Sequence, residues 1–454
     1  MKMNIRKGSA KKAALLVAII CILLSTTLPS VDAGLISDAR YLTLSPGSDE
    51  TQINFSWHSP NRAKNGEPCV RVWKGNNSQT VFVGTGSSSK SPISNMYYNR
   101  VTATGLEPGA AYSYQIGDGD GNWSVEYDLK TGNPASFRYL VFGDPQVYNK
   151  DSGNNWKNTL ELAVELYPDL SFMASTGDNV DDNTITQYNS FFTPQELLST
   201  LPLAICMGNH EGSGTTQFAF YNPPNADSSQ NYWYRYGAAL FIVWNSNTAK
   251  AESLDAHLES AIAANGDATW RILNFHHVLY GQGAYTMKGG PGLRAKYGPV
   301  IDKYNIDIVF NGHDHSYSRS NPINDTVYIT LNSASGSKYY ALAQQQSYTA
   351  VMNQSNRPNF SVAEVSGKCF LCTTYQVNED NTLAVVDTFT IAKPTIATPD
   401  TFSENDMGRI KVDFIYRAWR GLLYCNVPSV RYSYIAYAAA APIFVLASQV
   451  ARAQ

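Results

Sequence analysis

Five apolar runs along the middle of this chain end in the same way, and that recurrence limits what it can fold into. RYLVFGD (138–144), LSFMASTGD (170–178), LPLAICMGNH (201–210), WRILNFHH (270–277) and IDIVFNGHDH (306–315) each start as a strand and stop on Asp, Asn or His. The runs lack clean polar alternation, which fits a sheet covered on both faces. In such sheets ligand sites gather beyond the carboxyl ends of the strands. The helical patterns NNWKNTLELAVELYP (154–168) and LDAHLESAIAA (254–264) fall between the runs, so the region is α/β. It is expected to finish with antiparallel strands through VYITLNSA, FSVAEVSG, CFLCTTYQV and LAVVDTFTI. In IDIVFNGHDH, an extended backbone carried through to the end would turn His313 and His315 to the same side.

The preceding region has a different rhythm. Between residues 38 and 132, short alternating segments such as TQINFSWHS, CVRVWKG and AAYSYQIGDG are separated by turn signals, among them Pro46-Gly47 and Pro108-Gly109. Seven such segments read as a β-sandwich. The phrase TGLEPGAAYSYQIGDG resembles the late strands of fibronectin type III domains.

The termini read separately. Residues 1–33 join a basic start (MKMNIRKGSAKK) to a short apolar run and small residues before Gly34, the pattern of a secretory signal peptide. The expected product is secreted, or held at the cell surface if the tail anchors it. Residues 394–454 form that tail, and 432–450 carries no charge over 19 residues. This is long enough for a membrane anchor, but its tyrosines, its serines and Pro442 favour a packed or disordered segment. Cys369 and Cys372 have redox spacing inside a strand, where residues three apart lie roughly 10 Å apart, too far for a bridge. The net charge is −3 with 16% charged residues, so no nucleic-acid partner is expected. Six Asn-x-Ser/Thr sites occur, at Asn54, Asn76, Asn122, Asn324, Asn353 and Asn359.

Five of the 7 histidines stand at the strand ends, with carboxylates and an amide beside them. Such donors suit Zn, Fe or Mn. A carboxylate between imidazole clusters can bridge two ions roughly 3.5–4 Å apart, which can hold a hydroxide nucleophile and clamp phosphoryl oxygens. Glycine before Asp144, Asp178, Asn209 and His313 allows the backbone to come close.

The ordered set Asp144, Gly177-Asp178, Gly208-Asn209-His210-Glu211, His276 and Gly312-His313-Asp314-His315 resembles the calcineurin-like metallophosphoesterases, and within them the purple acid phosphatases. The resemblance covers about 38–393. It implies a four-layer α/β/β/α sandwich over 134–393, after a fibronectin type III-like domain over 34–133. It implies two metal ions (Fe, Zn or Mn) and a phosphorylated small-molecule substrate. Asp178 would bridge both ions, Asn209, His276 and His313 would complete one, and Asp144 and His315 would hold the other. His210 would contact the phosphate and protonate the leaving alkoxide. His277 would do similar work or be a loop neighbour, Glu211 would orient His210, and Tyr280 would line the pocket or pack.

Two departures stand out. The family's Asp-x-His is Asp144-Pro-Gln146 here, and the tyrosine that gives the purple enzymes their colour is Asp181. Gln146 or Asp181 would then ligate, or buttress a ligand, and the protein should not be purple. The expected function is phosphate monoester hydrolysis. The alternatives are a phosphodiesterase or nucleotide hydrolase, with specificity in loops 212–232 and 281–295, or a degenerate surface-binding protein.

Overall fold

In this computed structural model the chain is described over residues 36–393, apart from 37, 76–78, 213–215 and 249. The signal segment 1–33 and the tail 394–454 lie outside the described residues. Among those described, no helix is long and apolar enough to cross a membrane.

The chain opens with β1 (Arg40–Pro46), β2 (Ile53–Ser59), β3 (Cys69–Lys74), β4 (Gln79–Thr85), β5 (Ser87–Lys90), β6 (Tyr97–Ala103), β7 (Ala111–Gly117) and β8 (Tyr127–Lys130). They pair in two four-stranded sheets, β1-β2-β6-β5 and β4-β3-β7-β8. Phe55, Trp57, Val70, Val72, Tyr114 and Ile116 fill the space between them. Each such side chain, fully buried, is worth about 2–3 kcal/mol. There is one strand more than the alternation reveals. β5 reads Ser-Ser-Ser-Lys and has no apolar face, and only its pairing with β6 makes it a strand.

The second unit contains two larger sheets. One joins β9 (Ser136–Phe142), β10 (Leu170–Ser175), β11 (Leu203–Ala204), β19 (Asn359–Ser366), β20 (Cys369–Val377) and β21 (Leu383–Ala392) in the order β11-β10-β9-β19-β20-β21. The other joins β12 (Tyr232–Tyr236), β13 (Ala239–Val243), β14 (Trp270–Asn274), β15 (Ile308–Asn311), β16 (Tyr317–Ser320), β17 (Val327–Thr330) and β18 (Thr349–Asn353) in the order β12-β13-β14-β15-β17-β16-β18. Phe137, Tyr139, Phe172, Phe241, Ile308 and Phe310 belong to the core that the two sheets share. The helix Lys150–Leu166 buries Trp156, Leu160 and Ala163 against the first sheet. The helices Ala251–Ala264 and Ala284–Lys303 cover the second, with Leu258, Ile301 and Val309 in one cluster. The result is a four-layer α/β/β/α sandwich. In β15, Ile308 and Phe310 face one core and Val309 the other, so the absence of alternation reflects burial on both sides.

Three expectations change. VYIT does not begin the antiparallel end. β17 pairs parallel to β15, Ile308 opposite Val327, and antiparallel only to β16. Residues 281–295 are not a free loop, because the helix starts at Ala284 in spite of Pro291 and Pro299. Packing of Thr286, Tyr297 and Ile301 overrides the cost of proline inside a helix. Loop 212–232 spends residues 218–222 on the first domain. His58 Nε2 donates to the Ala219 carbonyl (2.9 Å), Arg100 Nε to the Tyr221 carbonyl (2.9 Å) and Asn54 Nδ2 to the Asn222 carbonyl (2.7 Å).

The cysteines in the described residues form no disulfide; Cys69, Cys206, Cys369 and Cys372 are buried. Cys425 lies outside them. Asn54 and Asn359 are also buried, so the folded chain withholds two of the six acceptor sites from a glycan.

Candidate metal centre

The ligand candidates lie beyond the strand ends, and their backbones are unusual. Asp144, Gln146, Asp178, His313 and His315 all have positive φ, between 39° and 70°. Non-glycine residues rarely adopt this region, and it concentrates at functional sites. β15 ends at Asn311, so the extended form does not persist through His313 and His315. A turn of two left-handed residues brings the imidazoles together, not strand alternation. Gly312 permits the turn, because a Cβ there would lie 2.3 Å from Asp144 Oδ2.

Around His276 the acceptors converge. Its Nδ1–H donates to the Thr176 carbonyl (3.1 Å), which leaves the Nε2 lone pair facing inward. Nε2 then lies 3.0 Å from Asn209 Oδ1, 3.0 Å from His313 Nδ1 and 3.1 Å from Asp178 Oδ2. One proton can serve only one of these atoms, whereas a cation serves all of them. Buried carboxylates enforce the same demand. Burial disfavours a charged His276, yet Asp178, Asp144 and Glu211 outweigh it and push its pKa up to about 9. Asp178, His276 and His313 offer atoms within 4.8 Å of one another, and so do Asp144, Asp178 and His315. Asp178 belongs to both groups. His315 repeats the orientation of His276: Nδ1 donates to the Lys338 carbonyl (3.0 Å) and Nε2 faces Asp144 Oδ1 at 3.5 Å. A second hydrogen bond of this type fixes the tautomer that ligates metals.

Burial lifts the Asp144 carboxyl well above its ordinary pKa. Burial acts in the same direction on Asp178, but His276 and His210 overcome it and hold that carboxyl low. Gln146 is fully buried. Its Nε2 donates to Asp181 Oδ1 (2.8 Å) and lies 2.9 Å from His210 Nε2, while its Oε1 has no partner. Asp181 Oδ1 also accepts from Lys338 Nζ at 2.6 Å. His210 Nδ1 donates to the Asp181 carbonyl (2.6 Å).

Residues 40–131 match the family "Purple acid Phosphatase, N-terminal domain" and residues 137–317 the family "Calcineurin-like phosphoesterase". The chain thus carries a purple acid phosphatase N-terminal domain followed by a calcineurin-like phosphoesterase domain. It is 28% identical over 264 residues to "Probable inactive purple acid phosphatase 24" of Arabidopsis thaliana, covering 48% of this chain and 43% of that protein. It is 24% identical over 275 residues to "Purple acid phosphatase 5" of the same plant, covering 58% and 66%. The matches thus span less than two thirds of these relatives' lengths. Among solved structures, a purple acid phosphatase from yellow lupin (Lupinus luteus) seeds shares the fold with a TM-score of 0.63 at 18% identity, over 81% of this chain and 78% of that one.

In this phosphoesterase-like domain, several side chains act differently from the sequence expectation. Glu211 does not reach His210. Its buried carboxylate accepts four backbone N–H groups, from Asp178 (3.0 Å), Asn179 (2.6 Å), Val180 (3.2 Å) and Gly208 (2.7 Å). It ties together two of the strand-end loops. Burial and Asp178 raise its pKa to about 7 against the pull of those donors. His277 packs against the His276 and His313 rings, with Nδ1 2.7 Å from Ser246 Oγ. Burial, and then His276, lower its pKa to about 4. Tyr280 is engaged with Tyr328 (4.5 Å between ring centroids), Tyr348 (5.2 Å) and Arg294. The tyrosines that face the candidate ligand histidines His313 and His315 are Tyr285 and Tyr340. Nothing in the spacing signals them, or Lys338. Asp314 offered a sequence signal, lying between the two histidines, but no partner for it was readable.

Proposed function

We propose that the chain is a secreted dinuclear-metal phosphoesterase that hydrolyses phosphate monoesters. In this reading residues 1–33 are a signal peptide, 34–133 a scaffold and 134–393 the catalytic domain. The observation that carries it is the crowd of acceptors at His276 Nε2, with Asp178 common to both ligand groups. Asn209, His276 and His313 would hold one ion with Asp178. Asp144 and His315 would hold the other, and the unpartnered Gln146 Oε1 is a natural further donor. The ions would supply an activated water and neutralise phosphoryl charge.

The chain's own residues do the rest. His210, partly exposed beside Asp178, faces the phosphate. Its Nε2 accepts from the Gln146 amide, so it donates to a substrate oxygen only once it is protonated and turned from that amide. Neutral His277, held by Ser246, orients the phosphate rather than protonating the leaving group. Asp181 is paired with Lys338 and supports His210 instead of ligating.

Metal content, measured with hydrolysis of p-nitrophenyl phosphate and its bis ester, tests this in wild type and Asp178→Asn. Two ions per chain and turnover of the monoester, both lost in the variant, support the reading. Preference for the diester moves it to the phosphodiesterase alternative. One ion or none, with no turnover across pH and added metals, leaves a binding protein. Three relatives bear the word "inactive" in their names, yet here all seven of Asp144, Asp178, Asn209, His210, His276, His313 and His315 are present.

A further inference from the structure

Two tyrosine rings from separate parts of the chain meet over the histidines that end β15. The Tyr285 ring lies 4.3 Å from the His313 ring, and the Tyr340 ring 4.7 Å from that of His315. The two tyrosines stand 5.5 Å apart, edge to face. Tyr285 remains 44% exposed, unusual for a large ring so close to buried ligands.

The segments that carry both rings are held in place. Asp314, between the two histidines, accepts from Gly283 N (2.7 Å), Thr286 N (3.2 Å) and Thr286 Oγ1 (2.5 Å). It thereby caps the helix that begins at Ala284 and sets Tyr285 in its first turn. Gly283 lets this happen, since a Cβ there would lie 2.5 Å from Asp314 Cγ. The loop bearing Tyr340 is held at Lys338, whose carbonyl accepts from His315 and whose ammonium pairs with Asp181. The Tyr340 carbonyl accepts from Gln354 Nε2 at 2.7 Å. A rigid, half-exposed aromatic edge loses little entropy when a second flat ring packs on it.

We propose that Tyr285 and Tyr340 form a leaving-group subsite that selects phosphate esters whose ester oxygen is bonded directly to an aromatic ring. The inference rests on the phosphoesterase reading above and names its substrate class. The rings pack on the candidate metal ligands themselves, so a substrate ring stacked on them would stay close to a phosphate held at those ligands. A nucleobase, held off by its ribose, reaches past it.

Phosphonates test this without turnover. Binding of phenylphosphonate and methylphosphonate to the metal-loaded protein is measured by calorimetry for wild type, Tyr285→Ala, Tyr340→Ala and Tyr285→Phe. The aromatic contact is worth up to about tenfold in affinity. The phenyl compound is expected to bind wild type about tenfold more tightly, and that margin to fall below about threefold in each alanine variant and to survive in Tyr285→Phe. The ratio of kcat/KM for phenyl phosphate to that for glycerol phosphate should fall in step. An unchanged margin in the alanine variants, or equal weakening of both phosphonates, overturns the subsite and leaves the phosphoesterase reading standing. Adenosine monophosphate binding more tightly than phenylphosphonate overturns the choice of a directly bonded ring. If neither phosphonate binds and no ester is turned over, the phosphoesterase reading itself falls, and the subsite with it.

Discussion

Gln146 Nε2 lies 2.9 Å from His210 Nε2, and His210 Nδ1 donates to the Asp181 carbonyl. The amide therefore addresses the lone pair of a neutral imidazole, and the same nitrogen reaches Asp181 Oδ1. A residue that departs from the family pattern thus orients the histidine next to the candidate ions.

Gln146→Leu keeps the volume and removes both hydrogen bonds and the unpartnered oxygen. Loss of such an orienting partner typically costs about 10–100-fold in activity or metal affinity. We expect a fall of that size in kcat/KM for p-nitrophenyl phosphate. Wild-type kinetics and metal content in the variant would show that the amide is only packing.

Glu211 is the strut between the loops carrying Asp178 and Asn209. Glu211→Gln turns an amide nitrogen toward backbone donors and strands at least one of them. A buried unsatisfied group costs about 1–3 kcal/mol, more where a charged acceptor is lost. Urea unfolding should shift by about 3 kcal/mol, with less metal retained per chain. An unfolding midpoint within error of wild type counts against the strut.

Chelation should destabilise the chain. A proton on His276 Nε2 then serves only one of the acceptors around it, and binding to the folded state alone no longer contributes. At free ion a hundredfold above Kd that contribution is about 2.7 kcal/mol. The melting temperature should fall by several degrees with chelator and recover on adding Zn, Fe or Mn. In Asp178→Asn, chelator should change it little; an equal response there would place the ions elsewhere.

The seam between the two domains should weaken in acid. His58 is fully buried, stacked on Phe220 (4.7 Å), and donates from Nε2 to the Ala219 carbonyl. Its Nδ1 has no partner. Burial lowers its pKa from 6.5 to about 4, with Arg100 adding to the fall and the carbonyl opposing it. Between those values the unfolded chain holds a proton that the folded chain lacks, so stability falls as pH falls. The stabilisation is complete above pH 6.5 and lost progressively toward pH 4, by about 3 kcal/mol. His58→Gln keeps a donor but does not titrate, so its stability relative to wild type should improve by that amount between pH 7 and pH 4. Parallel stability curves would remove His58 from the acid response.

Much of the site was legible because metal chemistry restricts residue types. Asp144, Asp178, Asn209, His276, His313 and His315 were all readable as residues that follow apolar strand runs. The way they meet was not. His313 and His315 converge through left-handed turns, and a one-dimensional pattern records no dihedral angles. β5, with no apolar face, and the helix at 284–303, with its two prolines, were hidden for a related reason: pairing and packing override local preference.

Taken by itself, the sequence determined the succession of buried strand runs, the donors at their ends, and the change from an all-β to an α/β rhythm, because burial on both faces and ligand chemistry each leave a local signature. Tertiary structure decided what each donor faces. His276 is oriented by Thr176, 100 residues away, and Tyr340 comes to His315 through a loop held by Asp181, 157 residues from Lys338. Hydrogen bonds of that span depend on the packed sheets, and no spacing along the chain encodes them.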